Sequence, residues 1–245
     1  MVNLFPRITL LKGILLLASI TSLTSAHADC SSDSGLPDLN CDGSVKVVAL
    51  GDSLVTGVGD KKLRGNGGYV VRTQNRLPLL TLIGHGQAGL RTGQLLKRLQ
   101  ASFAGTAYQE IAGDLLDADL ISIDIGRNDR WLFGPPKKAF RNLERIRALI
   151  KQQVQNQADF TPVITLSVLL LPNRGSQAPW VKELNSHIMR SHSTNDPADL
   201  RFDKVSKRLL SSDNLHPTSK GYNALSKVYS RYITKKYPRH AQNTD

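Results

Sequence analysis

Val45-Lys46-Val47-Val48-Ala49-Leu50-Gly51-Asp52-Ser53-Leu54 is the stretch whose reading decides the fold. Its first six residues are apolar and largely β-branched, with Lys46 the one interruption. So short a run suits a strand buried in a parallel sheet better than a helix, whose apolar positions would recur at three and four. Gly51 breaks the run, and a hydroxyl, Ser53, follows at the carboxyl end of the strand. Open α/β sheets bind ligands at that edge, and a following helix would aim its backbone N–H groups at developing negative charge. A nucleophile fits there. Taken alone, Asp52 and Ser53 read equally well as helix caps.

The strand signal recurs at residues 79–83, 120–125, 162–170 and 200–205. Between these runs lie helical patterns at 69–77, 90–103, 139–154, 180–189 and 219–237. Strands alternating with helices predict a parallel sheet covered on both faces, a three-layer α/β/α domain of flavodoxin-like type. Gly84-His85-Gly86-Gln87-Ala88-Gly89 reads as the loop leaving the second strand, with His85 bonded to backbone.

A serine hydroxyl is a poor nucleophile near neutral pH and needs a base, which in turn needs a group to hold its tautomer. Asp213-Asn214-Leu215-His216-Pro217 offers both within one loop, His216 as base and Asp213 behind it. Gly51-Asp52-Ser53-Leu54, Gly89, Gly126-Arg127-Asn128-Asp129, and Asp213 with His216 stand in the order of four sequence blocks. On these residues, spread over residues 45–237, the chain resembles the SGNH (GDSL) hydrolases.

The resemblance implies strand order 2-1-3-4-5 and ester hydrolysis through an acyl-enzyme, with no cofactor and no metal. It implies Ser53 as nucleophile, His216 as base and Asp213 as its orienting acid. The oxyanion hole would be the backbone N–H groups of Ser53 and Gly89 and the side chain of Asn128. A glycine lets substrate approach the backbone closely, and an amide donates without being able to take the proton. Asp129 is expected to anchor its loop. Relatives commonly carry Asn where this chain has Gly84, a departure that leaves the donor at Gly89 in place. Lipases, lysophospholipases, arylesterases and carbohydrate acetylesterases share the pattern, because the four blocks encode acyl transfer and not the alcohol. Acyl transfer to a sugar and a non-catalytic ligand-binding domain stay open beside hydrolysis. Trp131, Leu132 and Phe133 could wall an acyl site, as could the run Leu169-Leu170-Leu171.

The chain has 245 residues. Residues 1–28 read as an export signal: Arg7 and Lys12, an apolar stretch from Gly13 to Ile20, then Ala26-His27-Ala28 as a cleavage pattern. The expected layout is this signal, a segment at 29–44, and a hydrolase domain at 45–245, in an exported protein, periplasmic or secreted. The apolar stretch is too short to span a bilayer comfortably. Cys30 and Cys41 are the only two cysteines, and a disulfide between them is expected. Asp38-Leu39-Asn40-Cys41-Asp42-Gly43 begins like an EF-hand loop but carries Ala49 where the bidentate carboxylate is needed, so a polar turn is expected.

The formal charge of +12 falls to +10 once Arg7 and Lys12 leave with the signal. Such a balance favours an anionic envelope surface, and no nucleic-acid motif accompanies it. Arg141, Arg145 and Arg147 read as a solvated basic face, and Tyr229, Tyr232 and Tyr237 as tyrosines at the surface. His187 and His192 are too poorly spaced on a helix for a metal site.

Overall fold

The computed structural model describes residues 30–60, 67–132, 134–193 and 196–242. The expected export signal and Phe133 lie outside these residues. Five parallel strands form one sheet: β1 (Lys46–Gly51), β2 (Thr81–Gly86), β3 (Leu120–Asp124), β4 (Val163–Val168) and β5 (Leu200–Arg201), in the order β2-β1-β3-β4-β5. This is the order the resemblance implies. The helices are α1 (Gly68–Gln74), α2 (Thr92–Phe103), α3 (Gln109–Leu116), α4 (Pro136–Ala158), α5 (Gln177–Arg190), α6 (Ser219–Lys235) and α7 (Tyr237–Ala241).

The three layers follow from the period of two along each strand. Val48 and Leu50 of β1, Ile121 and Ile123 of β3, and Ile164, Leu166 and Val168 of β4 face one side, where α2, α3, α4 and α5 cover them. Val47, Ala49, Leu120 and Val163 face the other, against α1, α6 and α7. β1 therefore sits near the middle of the sheet with both faces dry. Its carboxyl end is fixed by packing on all sides before any functional group is considered.

Several local expectations change. β2 continues through Gly84 and Gly86, which were expected in a loop. A Cβ at Gly86 would come within 2.8 Å of Val55 Cβ and 2.9 Å of the Asp52 carbonyl, so glycine there marks a close approach of the nucleophile loop to the strand. His85 accordingly lies in β2, and its Nε2 pairs at 2.8 Å with Asp114 of α3 rather than with backbone. α3 itself escaped the sequence pattern, since it is two turns long and follows Tyr108 in a left-handed conformation (φ 57°). β5 is only two residues before a 3₁₀ turn at Phe202–Lys204.

Tyr229, Tyr232 and Tyr237 do not lie at the surface. All three are buried on the α6 and α7 face of the sheet. Tyr229 shares a 2.7 Å hydrogen bond with Ser122 of β3, and Tyr237 donates at 2.6 Å to the Pro37 carbonyl, so these two hydroxyls meet their polar need inside the core. Arg147 is likewise buried, held by Glu144 and by the Asp196 carbonyl. His187 stacks on Phe140, and His192 Nδ1 accepts from the Ala198 N–H. Among the described residues no group of His, Cys, Asp and Glu is arranged to hold a metal.

Cys30 and Cys41 form a disulfide. The segment they close is a polar turn: Asp38 accepts from the Gly43 N–H, and Asp42 from the Ser44 N–H and hydroxyl. Asp119 ties it to the sheet by accepting from the backbone N–H groups of Leu39 at 2.7 Å and Lys46 at 2.8 Å. Burial pushes the Asp119 carboxyl up to about 7, against the pull of those two N–H groups. No described helix is long and apolar enough to cross a membrane.

Candidate active site

Ser53 follows β1 by two residues and is buried, only 6% exposed. The turn that presents it is held from within: Asp52 Oδ1 accepts from the Leu54 N–H at 3.1 Å, and the Ser53 carbonyl from Val58 N–H at 3.0 Å. The second half of the site comes from the loop before α6. Asn214 there takes a left-handed conformation (φ 58°), which Asn tolerates better than most residues. That kink turns Asp213 back beneath His216.

The side chains then form one hydrogen-bonded chain. His216 Nε2 lies 2.9 Å from Ser53 Oγ, and His216 Nδ1 lies 2.5 Å from Asp213 Oδ2. The other oxygen of Asp213 accepts from the Ser211 hydroxyl at 2.7 Å and from the N–H groups of Leu215 at 2.8 Å and His216 at 2.9 Å. Burial would raise the carboxyl of Asp213, but the His216 ring and the three other donors hold it well below the ordinary carboxylate range. It stays ionised through the working range of a histidine base.

Two braces hold the loop, and the sequence pattern indicated neither. Arg174, in the loop after β4, donates from Nε to the Asp213 carbonyl, and Asn173 N–H donates to the Asn214 carbonyl at 2.8 Å. On the opposite side Asp60 accepts from Arg72 at 2.7 and 2.8 Å, from Gly68 N–H at 3.1 Å and from Ser219 Oγ at 2.7 Å. Against burial, these donors hold the Asp60 carboxyl down at about 2. One ionised carboxylate thus joins the loop after Ser53, α1 and the start of α6 just past His216.

Gly89 and Asn128 stand at the ends of β2 and β3, on the strands that flank β1. Gly89 has φ +76° and nothing within 4 Å of where a Cβ would stand. Its glycine is required by the left-handed backbone and not by crowding. Among the described residues neither the Gly89 N–H nor the Ser53 N–H has a hydrogen-bond acceptor. Asn128 Nδ2 donates to the Leu90 carbonyl at 3.0 Å, which joins the Gly89 and Asn128 loops and leaves its second N–H for another partner. Asp129 anchors that loop as expected, accepting from Thr92 N–H at 2.9 Å and from Thr92 Oγ1. Trp131 and Leu132 are both about half exposed beside it, 52% and 51%. Leu169 and Leu170 are buried in the core and wall nothing.

Beneath the site lies a cluster that sequence reading missed. Arg127 is fully buried, with its guanidinium 2.6 Å from Asp124 Oδ1 and 3.4 Å from Asp52 Oδ2. Burial opposes the charge on Arg127, yet Asp124 and Asp52 raise its pKa above the ordinary value. Burial pushes the Asp52 carboxyl up to about 6, with Arg127 pulling it down and Asp124 adding to the rise. Asp52 precedes Ser53 and Arg127 precedes Asn128, so this cluster ties the candidate nucleophile to the candidate oxyanion donor. Arg127 stood in the motif Gly126-Arg127-Asn128-Asp129, and its buried partner at Asp52 is 75 residues away.

The same architecture is found in solved structures. The lipase Lip_vut3 from a goat rumen metagenome is 23% identical, with a TM-score of 0.63 over 80% of this chain and 100% of its own. The esterase EstA from Pseudoalteromonas sp. is 21% identical, with a TM-score of 0.55 over 78% and 97%. The acetyl xylan esterase AlAXEase is 16% identical, with a TM-score of 0.58 over 77% and 100%. No curated protein sequence matches the chain. At such identities these structures speak to the fold alone. The sequence profile of the GDSL-like lipase/acylhydrolase family, however, matches residues 49–224, from within β1 to within α6 and so across all four motif blocks, and the chain belongs to that family of ester-bond hydrolases.

Proposed function

We propose that the chain hydrolyses carboxylic esters of short acyl chains through a covalent acyl-enzyme on Ser53. The observation that supports this best is the unbroken hydrogen-bonded chain from Ser53 Oγ through both ring nitrogens of His216 to Asp213. His216 Nε2 takes the hydroxyl proton as Oγ attacks the ester carbonyl, and the ionised Asp213 stabilises the imidazolium through Nδ1. The carbonyl oxygen becomes an oxyanion. The free N–H groups of Ser53 and Gly89, with the second N–H of Asn128, receive it. The tetrahedral intermediate collapses as His216 returns its proton to the leaving alcohol, which gives an acyl ester on Ser53. Water then repeats the two steps, deprotonated by His216, and Ser53 leaves with its proton restored.

The preference for short acyl chains rests on the apolar residues beside Asn128. Among the described residues Leu169 and Leu170 are inside the core, and Trp131 and Leu132, each about half exposed, form an open wall. A carbohydrate O-acetyl esterase would need no more. Acyl transfer to a sugar uses the same acyl-enzyme with another acceptor. The domain carrying this chemistry spans 45–245, and the Cys30–Cys41 disulfide, which persists in oxidising compartments, supports export after loss of residues 1–28.

The test is turnover of p-nitrophenyl esters from acetyl to palmitoyl beside Ser53→Ala. Ser53-dependent hydrolysis falling off beyond butyryl is expected, and a maximum at palmitoyl would reverse the chain-length reading. Equal turnover by Ser53→Ala would end the mechanism. If neither protein reacts, a fluorophosphonate probe decides: labelling of Ser53 keeps a selective enzyme, and no labelling leaves a ligand-binding domain.

A further inference from the structure

A cavity of about 230 Å³ opens beside the loops that carry Gly89 and Asn128. It is bordered by Arg91 and Lys97 of the α2 region, Lys138 at the start of α4, Asp129 and Leu132 after β3, and Trp180 of α5. Arg91 follows Gly89 by two residues and Asp129 follows Asn128 directly, and the Asn128 side chain bonds the Leu90 carbonyl that joins these loops. The border of the cavity thus comes within two residues of the candidate oxyanion donors Gly89 and Asn128 along the chain.

Its border carries three cations and one carboxylate, Asp129, whose charge Arg91 partly offsets. Among the described residues Arg91, Lys97 and Lys138 form no ion pair, and Arg91 Nε donates only to the neutral Gln94. The one carboxylate at the border, Asp129, has both oxygens engaged by Thr92. Two helices, α2 and α4, also begin at this cavity, and their N-terminal turns add positive potential to that of the three cations. Trp180 contributes a ring whose Nε1 is already satisfied by the Gly134 carbonyl at 2.9 Å, so it offers an apolar face and no donor. The volume lies below the range of about 300–1,000 Å³ for sites that enclose a whole drug-sized ligand, so the cavity suits one part of a substrate.

The geometry points to a subsite for an anionic group of the ester substrate, a carboxylate or phosphate held by Arg91, Lys97 and Lys138 with its carbon skeleton against Trp180 and Leu132. This rests on the esterase reading above and narrows it to esters that carry negative charge. Uncharged esters would still react at Ser53 but would leave the cavity unused.

The experiment compares matched pairs of esters. For the acyl half, mono-p-nitrophenyl succinate is set against p-nitrophenyl butyrate. For the alcohol half, 3-acetoxybenzoate is set against 3-acetoxybenzamide. Each pair is measured on wild type, on Lys97→Glu/Lys138→Glu and on Arg91→Gln, the first variant changing only exposed side chains. The ratio of kcat/KM for the anionic over the neutral ester is expected to fall about tenfold in the double charge reversal, through KM, and about threefold in Arg91→Gln. Added salt should lower the same ratio in wild type, because exposed charges are screened. A fall in one pair tells which side of the carbonyl carries the anion. Ratios that stay constant in both pairs, with Ser53-dependent turnover of the neutral esters intact, would overturn the subsite and leave the hydrolase standing. Loss of all Ser53-dependent turnover in wild type would instead strike the esterase reading.

Discussion

Replacing Arg127 with Met would remove the single cation from a buried cluster that holds two carboxylates, Asp52 and Asp124. All three side chains are essentially inaccessible to water, at 2%, 1% and 0% exposure. Removing one partner from a buried ion pair leaves an uncompensated charge and typically costs about 3–5 kcal/mol. For a domain of this size about 1 kcal/mol shifts the midpoint by roughly 2–4 °C, so the variant should melt roughly 6–20 °C lower near neutral pH. The loss must also depend on pH. Asp52 is raised to about 6 in the folded protein from an ordinary value near 3.8, so the folded state binds the extra proton between those values. Stability from this group therefore falls as pH rises through that window. Without Arg127 the carboxyls lose their cation, the folded-state value moves further up, and the window widens towards neutrality. Thermal melts followed by circular dichroism at about pH 7.5 and about pH 5 should show a large deficit at the higher pH, partly recovered at the lower as the carboxyls take up protons. A second substitution, Asp124→Asn, in the Arg127→Met background should recover part of the deficit at the higher pH by removing one of the stranded charges. A deficit under about 3 °C at both pH values, or one that grows on acidification, would refute the account of the cluster.

Three further outcomes follow from the site. Asn128→Ala should lower kcat by about 10²–10³, with a melting loss of only a few degrees from the lost bond to the Leu90 carbonyl, and steady-state kinetics below the melt separates the two. Asp213 is held ionised well below the ordinary carboxylate range, so the acid limb of turnover should need one proton and not two; a limb requiring two protons in a kcat/KM profile would contradict this. Cys30→Ser with Cys41→Ser should destabilise the domain by at most about 3 kcal/mol in urea unfolding, since the bridge closes a short loop of sequence separation 11, and esterase turnover should persist.

What the sequence disclosed and what it withheld divide along a physical line. Strand β1 was legible as a local pattern, an apolar run ended by glycine, and the sheet order through the resemblance that the motif blocks carry; the candidate site residues stand in those same short blocks. Ser53, Gly89, Asn128, Asp213 and His216 each sit in such a pattern, and the fold brings their loops to one edge of the sheet. The extent of β2 was misread because Gly84 and Gly86 look like loop residues, and the close approach of Val55 to both, and of the Asp52 carbonyl to Gly86, explains why the strand carries glycine at those two positions. The tyrosines of α6 and α7 were misread for a related reason. Interleaved lysines and arginines suggested a surface, whereas the buried hydroxyls of Tyr229 and Tyr237 find partners at Ser122 and Pro37, more than 100 residues away in sequence.

Arg127 belongs with these long-range cases and bears on function more than they do. An arginine between a glycine and an asparagine at the end of a strand gives no local sign of burial, and a long basic side chain is ordinarily expected at the surface. Its role comes from closing the distance between β1 and β3, where it places one charge against the residue before Ser53 and stands itself before Asn128. A nucleophile and an oxyanion donor must keep their separation to well under an ångström for the tetrahedral intermediate to fit both. In a sheet that separation is set by strand register, which leaves the turns beyond the strand ends free to drift. A buried ion cluster opposes that drift, because any motion that parts Arg127 from Asp52 or Asp124 exposes a charge to a medium that cannot solvate it. The two turns beyond β1 and β3 are thereby coupled, and the cluster that weakens the fold as pH rises also holds the site in register.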